Sequence, residues 1–168
     1  SLCDWSSDVC SSDLRTSAAV PLAEPLSAGF RVRRTVDPIE RKRPDRWSVG
    51  DSMRVRVEVD AAAEQGWTVV DDPVPPGATY LARGFATDSS LAAPGGTPAP
   101  GTPSTFEERA FEGFRAYYES VGAGRLVAEY SIRLNQAGTF HLPPTHVEAL
   151  YAPEVMAEAP IPPIEVAE

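Results

Sequence analysis

Residues 51–60 read Asp-Ser-Met-Arg-Val-Arg-Val-Glu-Val-Asp. Met53, Val55, Val57 and Val59 alternate with Arg54, Arg56 and Glu58. A period of two puts the apolar set on one face and the charges in water, the mark of a half-buried strand. The same alternation runs through residues 125–134, at Leu126, Ala128, Tyr130, Ile132 and Leu134. It returns around Phe30, Val32 and Val36 in residues 26–36. Two long alternating segments joined by other elements need a second layer over their apolar faces.

Shorter segments complete the pattern. Residues 66–72 (GWTVVDD) read as a strand stopped by Pro73, Pro75, Pro76 and Gly77. Proline removes a ladder donor, so this stretch marks an edge or a turn. A short strand is expected around Tyr80 within 78–85, another at Thr139–Leu142, and a last one over 145–151. Residues 106–119 fit both a helix, with Phe106, Ala110, Phe114 and Tyr118 four apart, and a strand, from their aromatic content. Gly122 and Gly124 follow, then the alternating segment, so the reading is a hairpin of 106–119 with 125–134. Tyr117, Tyr118 and Tyr130 are expected to pack across it, and Trp47 and Trp67 to serve as core or rim anchors. Residues 37–49 read as a charged loop and 88–105 as a long flexible loop rich in Pro, Gly, Ser and Thr. Short strands with turn signals every 8–12 residues give an all-β antiparallel sandwich of the immunoglobulin or fibronectin kind.

The 168 residues carry 15 Lys and Arg against 24 Asp and Glu, a net charge of -9. An acidic chain lacks the basic face that neutralises phosphates, so nucleic acid is not an expected partner. No apolar run approaches the roughly 18–20 residues of a membrane span.

Residues 1–14, SLCDWSSDVCSSDL, resemble the translation of a sequencing adapter and are set aside from the fold. They hold both cysteines, Cys3 and Cys10, so the remaining 154 residues have none. Without Asp4, Asp8 and Asp13 the balance is 21 acids against 15 bases, a net charge of -6. The natural protein is then expected to begin further upstream. The expected organisation is 15–25 as linker, 26–157 as sandwich and 158–168 as an acidic, proline-rich tail.

The ordered segments resemble a known family. They are GFRVRRTV at 29–36, VGDSMRVRVEV at 49–59, GWTVVDDPVPPGATYL at 66–81 and YSIRLNQAGTFHLPPTHVEALYAPEV at 130–155. Together they resemble the C-terminal macroglobulin domain, MG10, of bacterial alpha-2-macroglobulin-like proteins, the counterpart of the eukaryotic receptor-binding domain. The resemblance covers roughly residues 20–157. It implies a macroglobulin-type sandwich at the end of a large periplasmic or envelope protein, often membrane-anchored, that traps proteases. In such proteins a cut bait region triggers capture through an internal Cys–Gln thioester. The implied partners are other domains of the same polypeptide and, for the whole protein, trapped proteases. The implied role is non-enzymatic: inhibition by packing on the thioester-type domain. The rival expectation is a stand-alone adhesion or structural module of the cell envelope.

The chemistry of the residues agrees with a module that carries no reaction. The only Glu-Gln pair is Glu64-Gln65, and Ala62 stands where a thioester cysteine would sit. No nucleophile elbow or phosphate loop is present. His141 and His146 lack a third ligand partner, and no metal or other cofactor is expected. Glu107-Glu108 reads as a solvated end, and Asp71-Asp72 as turn-stabilising acids before proline. Between Arg31 and Arg56 nine bases face four acids, a local excess of +5. Arg41, Lys42, Arg43 and Arg46 within it form the candidate docking patch, since arginine suits interfaces.

Overall fold

The computed structural model describes residues 21–81 and 103–168. Its elements are thirteen strands and, among the described residues, no helix. They are β1 (Leu26–Ala28), β2 (Phe30–Glu40), β3 (Trp47–Ser48), β4 (Ser52–Ala61), β5 (Thr68–Pro73), β6 (Thr79–Tyr80) and β7 (Phe106–Arg109). Then come β8 (Gly113–Tyr118), β9 (Gly124–Arg133), β10 (Gly138–Phe140), β11 (Thr145–Ala149), β12 (Ala152–Ala159) and β13 (Ile164–Ala167). A four-stranded antiparallel sheet has the order β2-β4-β9-β6, and a six-stranded one the order β1-β12-β11-β5-β8-β7. A small sheet, β10-β13-β3, joins β13 to β3 in parallel.

The core is what the period of two dictates. Val55, Val57 and Val59 of β4 and Leu126, Ala128, Tyr130 and Ile132 of β9 are buried on one layer. Val70, Phe114, Ala116, Tyr118, Val147 and Ala157 are buried on the other. The fold class read from the sequence holds: this is an antiparallel sandwich built of strands.

Several connections differ from the sequence reading. Residues 106–119 do not pair with β9. They split at Ala110–Glu112 into their own hairpin, with Ala110 N–H donating to Gly113 O at 3.0 Å. β8 then pairs with β5, and β9 with β4, so the chain crosses between sheets after Tyr118. Gln65 and Val121 anchor that crossing through reciprocal backbone bonds of 2.8 and 2.9 Å. An alternating pattern specifies a face, not a partner strand, which is why sequence adjacency misled. The aromatic rings follow: Tyr117 meets Phe106 at 5.8 Å, while Tyr130 stacks on Phe114 from the opposite sheet at 4.5 Å.

β2 runs on to Glu40, beyond the loop boundary at residue 37. Its last residues are all exposed and are held by backbone pairing to Ser52, Met53 and Arg54, with a register shift between Pro38 and Glu40. Proline is tolerated there because β2 is an edge strand. The supposed tail is strand as well. β12 lies between β1 and β11, and β13 lies between β10 and β3 with Val166 buried. The structured part therefore extends past residue 157, through Ala167. Of the loop expected at 88–105, residues 88–102 lie outside the described residues, as do 1–20.

One glycine makes the change of sheet possible. Gly29 separates β1 from β2 with φ +84°, and a Cβ there would meet Val155 Cγ1 at 2.7 Å. Only glycine takes this backbone without strain. Gly29→Val is expected to cost about 1–3 kcal/mol, read as a lower urea midpoint with unchanged slope.

Candidate docking surface

The basic loop between β2 and β4 is locally braced. The Asp51 carboxylate accepts from Lys42 N–H at 2.9 Å and Ser48 N–H at 2.8 Å. Arg41 lays its guanidinium 4.3 Å from the Trp47 ring centroid, a cation–π contact, and donates to Arg46 O at 3.2 Å. Lys42 Nζ donates to Val49 O, and Arg46 pairs with the neighbouring Asp45 at 3.5 Å. Arg43 and Arg46 face each other across an isolated backbone bridge. The structure thus collects Arg41, Lys42, Arg43 and Arg46 on one loop, with Lys42, Arg43 and Arg46 exposed.

An apolar groove of about 410 Å³ lies at the same end of the sandwich. Its walls include Pro73 at the end of β5, Val74 and Pro76 after it, Phe111 in the β7–β8 turn, Phe140 at the end of β10 and Leu142 beyond it. Phe111 is 79% exposed. Proline after β5 ends the ladder and presents its ring instead of an amide. β10 lines the groove while β3 carries Trp47, so the small sheet β10-β13-β3 ties the groove to the basic loop. The sequence reading missed this groove because its three walls are turns far apart along the chain.

It also missed a buried ionic cluster. Asp72 is fully buried, not part of a solvated turn. It accepts from Arg34 Nε at 3.0 and 3.1 Å and from the hydroxyls of Tyr130 and Thr145. Arg34 and Tyr130 belong to one sheet, Asp72 and Thr145 to the other, so the cluster ties the layers together. A signal existed: Arg34 falls on the inward parity of Phe30, Val32 and Val36, and Asp72 on that of Thr68 and Val70. Burial works against the Arg34 cation, but Asp72 and Tyr130 together outweigh it and hold the guanidinium in its charged form. Burial, then the Asp72 charge, pushes the Tyr130 phenol well above its usual range, and pushes Tyr80 up in the same way. Raised in the fold, these tyrosines contribute stability that is complete below the ordinary tyrosine value of 10.0 and is lost as pH rises beyond it. Urea midpoints taken from pH 8 to 12 should fall above about pH 10, and less steeply in Tyr130→Phe.

The remaining candidates are placed as follows. Asp71 points outward and pairs with Arg115 at 2.8 Å. Glu107 bonds Ser104 and Arg109, and Glu108 lies 3.5 Å from Arg115. His141 is exposed beside the groove, while His146 on β11 sits between Glu148 and Glu158 at 3.0 and 3.2 Å. Glu64-Gln65 lies in the β4–β5 loop. Trp47 and Trp67 are half-buried. Among the described residues no cluster of His, Cys, Asp or Glu is arranged to hold a metal ion, and no helix is long and apolar enough to cross a membrane.

Solved structures share this architecture and define its class, a macroglobulin-type β-sandwich. The native conformation of Escherichia coli alpha-2-macroglobulin, seen by cryo-EM, superposes with TM-score 0.73 at 22% identity over 89% of this chain and 10% of that one. The crystal structure of the same native protein from domain MG7 to the C-terminus gives 0.71 at 19% identity, over 88% of this chain and 25% of that one. Salmonella alpha-2-macroglobulin reacted with methylamine gives 0.67 at 20% identity over 86% and 10%. This chain thus spans between a tenth and a quarter of those proteins. No curated protein sequence matches it. The sequence pattern of the bacterial alpha-2-macroglobulin MG10 domain matches residues 29–154, and the chain belongs to that family.

Proposed function

We propose that this domain is the C-terminal docking module of a bacterial alpha-2-macroglobulin-like protease trap. It packs against the thioester-type domain of the same polypeptide and moves when the bait is cut. It contributes to inhibition in the periplasm or cell envelope and carries no covalent chemistry or enzymatic activity of its own. The supporting observation is the apolar groove with Phe111 standing out of it, at the end that also bears the basic loop. An exposed aromatic beside an apolar, proline-walled groove is what an interface core needs, and a cationic rim steers and registers the partner. The match of residues 29–154 to the MG10 family supports reading that partner as another domain of the same polypeptide.

The test is a titration of the domain against the separately produced thioester-type domain of its parent. Phe111→Ser should weaken binding by about tenfold or more, the size expected of an aromatic anchor. Replacing Arg41, Lys42 and Arg43 together by Ala should slow association and flatten its salt dependence. The stability of that triple variant should stay within about 1 kcal/mol of the parent, because its side-chain hydrogen bonds are exposed and the Arg41–Trp47 stacking is its one half-buried contact. Unchanged affinity in both variants would remove this end of the sandwich from the interface.

A further inference from the structure

The outer face of the six-stranded sheet carries two rows of side chains that neither the groove nor the basic loop uses. Register sets Glu108, Arg115, Asp71, His146 and Glu158 opposite one another across β7, β8, β5, β11 and β12. Directly opposed residues share a face about 5 Å apart, so this is one charged row. Arg115 donates to Asp71 at 2.8 Å and lies 3.5 Å from Glu108. His146 meets Glu158 at 3.2 Å and Glu148 at 3.0 Å. Two residues along, the parallel row is Phe106, Tyr117, Val69, Glu148 and Met156. Phe106 is 59% exposed and tilts against Tyr117. The intervening residues Val70, Ala116, Val147 and Ala157 are buried, which fixes these rows as outward.

Four carboxylates, Glu108, Asp71, Glu148 and Glu158, share one guanidinium and one imidazole on this face. One imidazole offers at most two N–H donors, so most acceptor sites of these carboxylates stay open to a partner. We infer that this face is a second docking surface, and that its occupant is a protein segment presenting Arg or Lys beside apolar side chains. Such cations complete the charged row, and they lie over the rings of Phe106 and Tyr117. The apolar side chains cover Val69 and Met156. Phosphate-bearing surfaces are repelled by the same carboxylates.

The test uses the whole chain and a fluorescent peptide of alternating arginine and leucine, followed by anisotropy at about 20 and 300 mM salt. Saturable binding is expected at low salt. It should weaken about tenfold in Glu148→Gln/Glu158→Gln and in Phe106→Ser, all at outward positions whose change leaves the fold intact by circular dichroism. Glu64→Gln/Glu165→Gln removes the same charge elsewhere and should bind like the parent. Absence of saturable binding overturns the inference. So does an equal loss in the Glu64/Glu165 variant, which marks attraction to net charge alone. Salt-sensitive self-association of the chain in sedimentation, abolished by Arg41→Ala/Arg43→Ala, overturns it too, because the occupant is then a second copy.

Discussion

Asp72→Ala is expected to lower stability by about 3–5 kcal/mol, the cost of leaving a buried charge without its partner. Arg34 would keep its guanidinium inside the sandwich, with a side chain only 8% exposed, and Tyr130 and Thr145 would lose their acceptor. For a domain of this size that corresponds to a melting temperature lower by about 6–20 °C. The cluster is a tie between layers rather than a net source of stability, because both charges lost their hydration on folding. Replacing all four groups by apolar ones of similar shape, as Arg34→Met, Asp72→Leu, Tyr130→Phe and Thr145→Val, should therefore recover most of the loss. Calorimetry on the single and quadruple variants separates the two effects. A single variant as stable as the parent would mean that the buried cation finds water.

Phe114→Ala should cost a comparable amount, about 3–5 kcal/mol, by a different route. Phe114 is completely buried on β8 and stacks on Tyr130 from the facing sheet at 4.5 Å with an interplanar angle of 24°. Its removal empties the space between the layers where the ring bridges them, and β-sheets joined along their length close such a void poorly. Phe114→Leu keeps most of the volume and should lose less than half as much. Chemical denaturation with unchanged slope distinguishes cavity formation from a loosened native state.

The buried pair and the ring both rest on strand alternation, and alternation was the part of the fold most legible in the sequence. β4 and β9 could be placed because Met53, Val55, Val57 and Val59, and Leu126, Ala128, Tyr130 and Ile132, mark their inward positions, and β5 because prolines stop it. β12 was hidden because its buried inward positions are Ala157 and Ala159, small residues set among glutamates and followed by proline. The end of β2 was hidden for another reason. Residues 37–40 bury no side chain and are held by backbone pairing and, at Glu40, an exposed ion pair with Arg133 at 3.6 Å, which leaves no apolar pattern to read.

The site was legible in half. The basic loop is a local charge excess and can be counted along the chain. The apolar groove is assembled from turns near residues 73–76, 111–112 and 139–143, so it exists only after β5, β8 and β10 are brought to one end. Arg34 and Asp72 could have been found by asking which charged residues occupy inward positions. The habit of treating an Asp before proline as a turn residue concealed the second of them.

The proposal that this domain is one module of a much larger protease trap is open to direct test. The most direct measurement is the source DNA sequence upstream of the codon for Arg15. A long continuous frame encoding further macroglobulin domains and a thioester-type domain is expected there, as the proposal requires. A start codon and secretion signal immediately before that codon would contradict it and leave a stand-alone envelope module.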